Sequence, residues 1–167
     1  MTQEQENLTF DRDLDAPAGT VRQISPLVRR VVCDNPGPFT FTGTCTYIIG
    51  RGQVSIIDPG PADPRHVAAL LKAVEGETIA NILVTHTHRD HSPAASMVKA
   101  ATGARILGCE SHVRMHFSTG AANPMDASFD PDYAPDLVMG DDDAVTGPGY
   151  TLKAVTTPGH TSNHVCF

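Results

Sequence analysis

The chain has 167 residues and 40% apolar composition, enough for one domain with a packed core and too short for two ordinary ones. A net charge of −7 argues against a protein whose task is to coat nucleic acid, because phosphate binding calls for clustered Lys and Arg; a nuclease whose metal meets the phosphate stays open. The polar, acidic start, the lack of any apolar run of membrane-spanning length and four scattered cysteines without a Cys-x-x-Cys pair predict a cytoplasmic protein with reduced thiols and no membrane span.

Residues 1–19 read as a polar lead-in and 20–167 as the folded domain. Val21, Ile24, Leu27, Val28, Val31 and Val32 predict strand, interrupted at Ser25-Pro26, and Asn35-Pro36-Gly37-Pro38 is a turn signal. Thr44 to Ile49 and Val54 to Ile57 are β-branched runs that form a hairpin over Gly50-Arg51-Gly52. Asp63 as N-cap and Pro64 at the first helical position open a helix with Val67, Leu70, Leu71 and Val74 on its packed face, ending near Gly76. Ile79 to Val84 is a short buried strand. Ser92-Pro93 opens a second helix by the same capping logic, packed through Ala94, Met97, Val98 and Ala101 and closing at Gly103. Ala104 to Leu107 is strand, Glu110 to Phe117 a short helix, and Ser118 to Asp136 a long loop of the kind that faces substrate. Asp141-Asp142-Asp143 is a solvated turn, and Tyr150 to Thr156 a last strand running into Thr157-Pro158-Gly159-His160-Thr161. Alternating strands and helices with early hairpins make the class α/β in the loose, α+β sense, with a mixed sheet flanked by helices.

Directly behind the Ile79–Val84 strand stands His86-Thr87-His88-Arg89-Asp90-His91, four of whose six residues can ligate a transition metal. His86 and His88 point to one side of an extended backbone, and Asp90 and His91 meet the same space from the turn that follows. Among the other histidines, His66 reads as solvent-facing. His112 and His116 read as a surface helix, because no helical Glu lies between them, and His164 as a pocket-lining residue. Cys45 and Cys166 read as small core residues.

Strand, His-x-His-x-Asp-His and helix in that order resemble the metallo-β-lactamase superfamily. Thr157 to Thr161 is similar to its second metal motif, and Asp58 in Ile56-Ile57-Asp58-Pro59-Gly60 to an aspartate that supports the metal loop from behind. Asn35 to Tyr47 with Arg89-Asp90-His91-Ser92 is similar to the lactamase-β-like branch that includes endoribonucleases. The resemblance implies an αββα sandwich, of which this chain would be the N-terminal portion, ending at Phe167 before the remaining ligands. It implies two Zn²⁺, or Fe or Mn. His86, His88 and His160 would hold the first, Asp90 and His91 would begin the second, and Asp90 would also act as proton acceptor. Asp58 and Thr161 are the candidates for orienting the imidazoles. A hydrolase acting on an ester, thioester, lactone or phosphodiester is expected, with a small ester-like molecule or RNA as substrate. The other reading is an inactive or partial metal-binding fragment that associates through an uncovered core face.

Overall fold

A computed structural model describes residues 16–112 and 127–167. Its centre is a seven-stranded sheet in which the strands lie side by side in chain order. β1 (Val21–Ser25), β2 (Val28–Val32), β3 (Cys45–Arg51) and β4 (Gln53–Ile57) meander antiparallel. β5 (Thr78–Val84), β6 (Arg105–Gly108) and β7 (Leu137–Val138) then add in parallel. The change of direction follows from the connections. Gly52, at φ 71, closes the β3–β4 hairpin, whereas α1 (Pro64–Ala73) and α2 (Ala94–Thr102) carry the chain back for the parallel pairs.

Both helices lie over one face of the sheet, where Val31, Ile48, Val54, Ile56, Ile82 and Val84 pack against Leu70 and Val98. Asp63 accepts the Arg65 N–H at 2.8 Å and caps α1 as expected. The opposite face carries a smaller cluster, Leu83, Leu107, Met139 and Ala154. Val145 and Leu152 cover it from a hairpin of β8 (Ala144–Gly147) and β9 (Tyr150–Lys153). Gly50 allows that hairpin to approach, since a Cβ there would lie 2.5 Å from the Tyr150 ring. A last two-stranded ladder joins β10 (Val155–Thr156) to β11 (Val165–Cys166). The mixed sheet flanked by helices is the expected class.

Several local expectations give way. His66 is buried, 3% exposed, because it lies one helical turn before Leu70 on the same face of α1; its Nε2 is 2.9 Å from the Thr46 hydroxyl. Ser92 does not cap α2, whose N-cap is Pro93; the hydroxyl instead donates to Asp130 at 2.9 Å. Ala101 is exposed, and the face of α2 that packs is Ala94, Ala95 and Val98. The stretch from Tyr150 to Thr156 is not one strand: it divides at buried Ala154 into β9 and β10, which pair with different partners. Cys166 is exposed because Val165 takes the inward position of β11, and Cys45 is only half-buried. The helix expected from Glu110 to Phe117, with His116, and the loop from Ser118 to Met125 and Asp126 fall largely outside the described residues.

Candidate metal centre

The parallel strands β4, β5 and β6 end side by side, and the chemistry collects beyond their carboxyl ends, where open α/β sheets form a crevice. Pairing of Ile57 with Leu83 places Asp58 beside the start of the histidine loop. Asp58 holds a left-handed φ of 50, uncommon for a residue with a side chain, and its backbone N–H donates to Leu83 O at 2.9 Å. Two more bonds clamp the loop at its far end: Gly60 N–H donates to His91 O, and Ala94 N–H to Gly60 O. The remaining imidazole arrives from the β10–β11 connection, which is pinned to the loop by Val165 N–H donating to Thr85 O at 2.9 Å.

One nitrogen each from His86, His88 and His160 falls within 4.8 Å of the others. His86 and His88 each bury an Nε2 that has no hydrogen-bond partner among the described residues. His88 turns its Nδ1 to His160 Nε2 at 3.1 Å, and His86 keeps its buried Nε2 bare beside them. An orphaned buried nitrogen costs about 1–3 kcal/mol, so the cluster calls for a group that accepts its lone pairs. Neutral imidazoles suit zinc and its neighbours, and three of them match a catalytic zinc set. The donor set therefore fits a transition-metal cation. Asp90 and His91 lie alongside, with Asp90 Oδ2 3.3 Å from His91 Nε2.

Asp58 organises both groups of ligands. Its Oδ1 accepts Thr85 N–H at 2.8 Å, and its Oδ2 accepts the Thr85 hydroxyl at 2.7 Å and His91 Nδ1 at 3.0 Å. Thr85 Oγ1 also lies 2.9 Å from His86 Nδ1. The hydroxyl has one proton and gives it to Asp58, so His86 must donate from Nδ1, which leaves its Nε2 as the bare lone pair. Thr161, expected to orient an imidazole, is buried but its hydroxyl has no partner among the described residues. Thr85 occupies that role beside Asp58. No sequence signal marks it except its place next to His86, because the contact depends on the parallel β4–β5 register.

Protonation follows the same geometry. Burial pulls the His91 imidazole down, but hydrogen bonds to Asp58 and Asp90 outweigh it and hold the group at about 9. Burial, followed by the surrounding histidines, pushes His86 down to about 3. Burial alone would raise Asp90, yet the bond with His91 keeps its carboxyl below the usual value. The cluster without a cation thus carries its positive charge on His91 and leaves His86 neutral.

Residues 127–130 brace the loop from outside. Arg89 N–H donates to Ser128 O at 2.9 Å, Asp130 N–H to Thr87 O at 2.7 Å, and the Phe129 ring lies 4.7 Å from that of His88. His112 also stacks on Phe129, at 3.5 Å between ring centres. His164 stacks on His86 at 5.0 Å and pairs its Nδ1 with Thr157 Oγ1, so it buttresses a ligand and lines a neighbouring cavity of about 210 Å³. The main cleft, about 610 Å³, is floored by His88, Asp90, His91 and His160 and rimmed by Phe39 and Arg89.

A sequence model of the Metallo-beta-lactamase superfamily matches residues 39–167. Over 155 residues the chain is 33% identical to a lactamase-like protein of Pestalotiopsis microspora, covering 90% of this chain and 42% of that protein. It is 35% identical over 154 residues to an atrochrysone carboxyl ACP thioesterase of Passalora fulva, covering 88% and 40%. The chain thus spans about 40% of the length of these relatives. Among solved structures, a subclass B3 metallo-beta-lactamase of Bradyrhizobium japonicum superposes with a TM-score of 0.65 at 23% identity, over 90% of this chain and 56% of that one. A beta-lactamase domain protein from Burkholderia ambifaria gives 0.64 at 20%, over 92% and 54%. At these identities the structural likeness speaks to the fold alone.

Proposed function

Because the chain belongs to the metallo-beta-lactamase superfamily, we propose that it carries the metal-binding core of a hydrolase acting on acyl thioesters. The observation that carries this reading is the meeting of one nitrogen each from His86, His88 and His160 within 4.8 Å, with the buried Nε2 of His86 unpartnered among the described residues. These three residues would hold one cation, and Asp90 with His91 would contribute to a second. The cation, when bound, supplies Lewis acidity toward the substrate carbonyl and makes water a nucleophile near neutral pH.

The chain's own groups do the rest. Asp58 and Thr85 keep the His86 proton on Nδ1, and Asp58 keeps the His91 proton facing away from the cleft. Asp90 is the carboxylate of the cleft and accepts the proton released as water adds to the carbonyl. Collapse of that adduct breaks the C–S bond, and the thiolate leaves with a proton. A thioester is favoured over RNA for two reasons: the relative from Passalora fulva is a thioesterase, and Arg89 is the single Lys or Arg among the described residues lining the cleft.

The test is metal content and zinc titration of the purified chain, followed by thiol release from an acyl N-acetylcysteamine thioester, with an oligoribonucleotide as the competing substrate. Zinc binding that His88→Ala abolishes, together with thiol release, is the expected result. Cleavage of the oligoribonucleotide in preference to the thioester would overturn the substrate class. Zinc binding with neither activity would favour the second reading, a metal-binding fragment that works with further polypeptide.

A further inference from the structure

We propose that His66 is a positioning residue for the metal centre: from the buried face of α1 it holds, through Thr46, the backbone of Asp58, the residue that orients His86 and His91. The inference deepens the hydrolase reading and rests on it. His66 and Thr46 are both buried, and His66 Nε2 lies 2.9 Å from Thr46 Oγ1. Thr46 Oγ1 lies 2.7 Å from the backbone oxygen of Asp58, which has no proton to give, so the hydroxyl donates there. Only lone pairs remain on Thr46 for the imidazole. His66 therefore donates from Nε2, and burial, acting against the pull of Asp63, keeps the ring below its ordinary pKa and leaves Nδ1 bare. That Nδ1 has no partner among the described residues. An apolar side chain would fill this face of α1 without leaving a buried nitrogen unpaired, so what the imidazole adds here is its single N–H.

That N–H bears on a strained point of the chain. Asp58, at φ 50, is held on both sides of its backbone: its N–H donates to Leu83 O at 2.9 Å, and its carbonyl accepts the Thr46 hydroxyl. A left-handed residue with a side chain persists only where its neighbours impose the conformation. The His66 ring also underlies the turn two residues later. A Cβ on Gly60 would lie 3.1 Å from His66 Cδ2 and 3.3 Å from its Nε2, so the backbone there rests directly on the imidazole. Gly60 is the residue whose N–H donates to His91 O and whose carbonyl accepts Ala94 N–H. One ring thus backs both points at which the turn from Asp58 to Gly60 grips the metal loop. With the N–H removed, nothing fixes the direction of the Thr46 hydroxyl, and Asp58 gains freedom about its strained backbone. Its carboxylate then no longer meets Thr85 and His91 in one arrangement.

The experiment measures zinc affinity, by competition with a chromophoric chelator, in the full chain and in variants of the two residues. His66→Phe keeps a ring of similar size and removes the N–H, whereas His66→Gln carries an amide N–H to the place of Nε2. His66→Phe should weaken zinc binding about 10-fold, within the range found for groups that orient metal ligands, and His66→Gln should recover most of the loss. Thr46→Val should match His66→Phe, and Thr46→Ser should stay near the parent. Because both residues act through one relay, the chain with His66→Phe and Thr46→Val together should lose no more than either single variant. Far-UV circular dichroism of the zinc-free proteins should be unchanged, which separates a shifted carboxylate from an unfolded chain. Three outcomes overturn the inference alone: His66→Phe binding zinc like the parent, His66→Gln binding no better than His66→Phe, or single losses that multiply in the double variant. If His66→Phe does not fold, the Thr46 pair decides: a loss in Thr46→Val that Thr46→Ser lacks upholds the relay, and equal affinities overturn it. A parent chain that binds no zinc overturns the hydrolase reading, and this inference falls with it.

Discussion

Thr85 gives its only hydroxyl proton to Asp58 and so has lone pairs alone to offer His86. That one choice decides which nitrogen of His86 faces the cleft. Replacing Thr85 with Val removes both bonds at nearly constant volume. The expected loss of zinc affinity is about 10- to 100-fold, the range found for groups that orient metal ligands. Thr85→Ser should restore most of it, and competition with a chromophoric chelator measures both. At this scale the sequence was informative about chemistry and silent about contact. The spacing of His86, His88, Asp90 and His91 marks a ligand set. The structure brings His160, 72 residues beyond His88, to 3.1 Å from it. Thr85, by contrast, is legible only through the register of two strands, and His66 departs from a solvent-facing place because the sheet beneath α1 buries its face of the helix.

Between elements, Arg29 ties β2 to the end of α1. Its guanidinium donates to Ala73 O at 3.0 Å and to Glu77 Oε2 at 2.6 Å, and Glu77 also accepts Gly52 N–H at 2.7 Å. Burial pushes the Glu77 carboxyl up, but Arg29 and the Gly52 amide outweigh it and hold the group below its ordinary value of 4.5. A depressed carboxyl contributes stability that is present above the unfolded value and is lost as pH falls through the folded one. Glu77→Gln should therefore cost about 1–3 kcal/mol near neutral pH, because Arg29 keeps its buried charge with a weaker partner. The difference from the parent should shrink below pH 4.5 in urea titrations followed by circular dichroism. The elements legible in the sequence were those with local instructions: Gly50-Arg51-Gly52 for a hairpin, and Asp63-Pro64 for a helix start. Those missed were set by distant partners. Ser92 abandons its cap for Asp130, and Ala154 breaks an apparently continuous strand because the two pieces join different neighbours.

At the scale of the whole molecule, the exposed apolar side chains of the described residues gather on strands. The β8–β9 hairpin shields part of the sheet's second face. Among the described residues, the large apolar side chains most exposed outside the Phe39 loop stand on strands: Val21 and Ile24 on β1, Leu137 and Val138 on β7, and Val155 on β10. β1 and β7 are the edges of the main sheet, and an exposed apolar edge is a template for pairing. The chain is expected to associate in proportion to its concentration, and Ile24→Lys should lower the weight-average mass in light scattering. A mass that stays monomeric across the range for both proteins would remove the edge as an interface. No described helix is long and apolar enough to cross a membrane.

The bond from Val165 N–H to Thr85 O has a bearing on time as well as place. His86 and His88 arrive together on the loop that follows β5, but His160 is held near them by that bond and by a ladder only two residues long on each side. Such short ladders open far more often than a sheet centre does. The endurance of the three-imidazole arrangement is therefore a property of β10 and β11, not of the loop that bears two of its three members. A two-residue pairing acts as its clock.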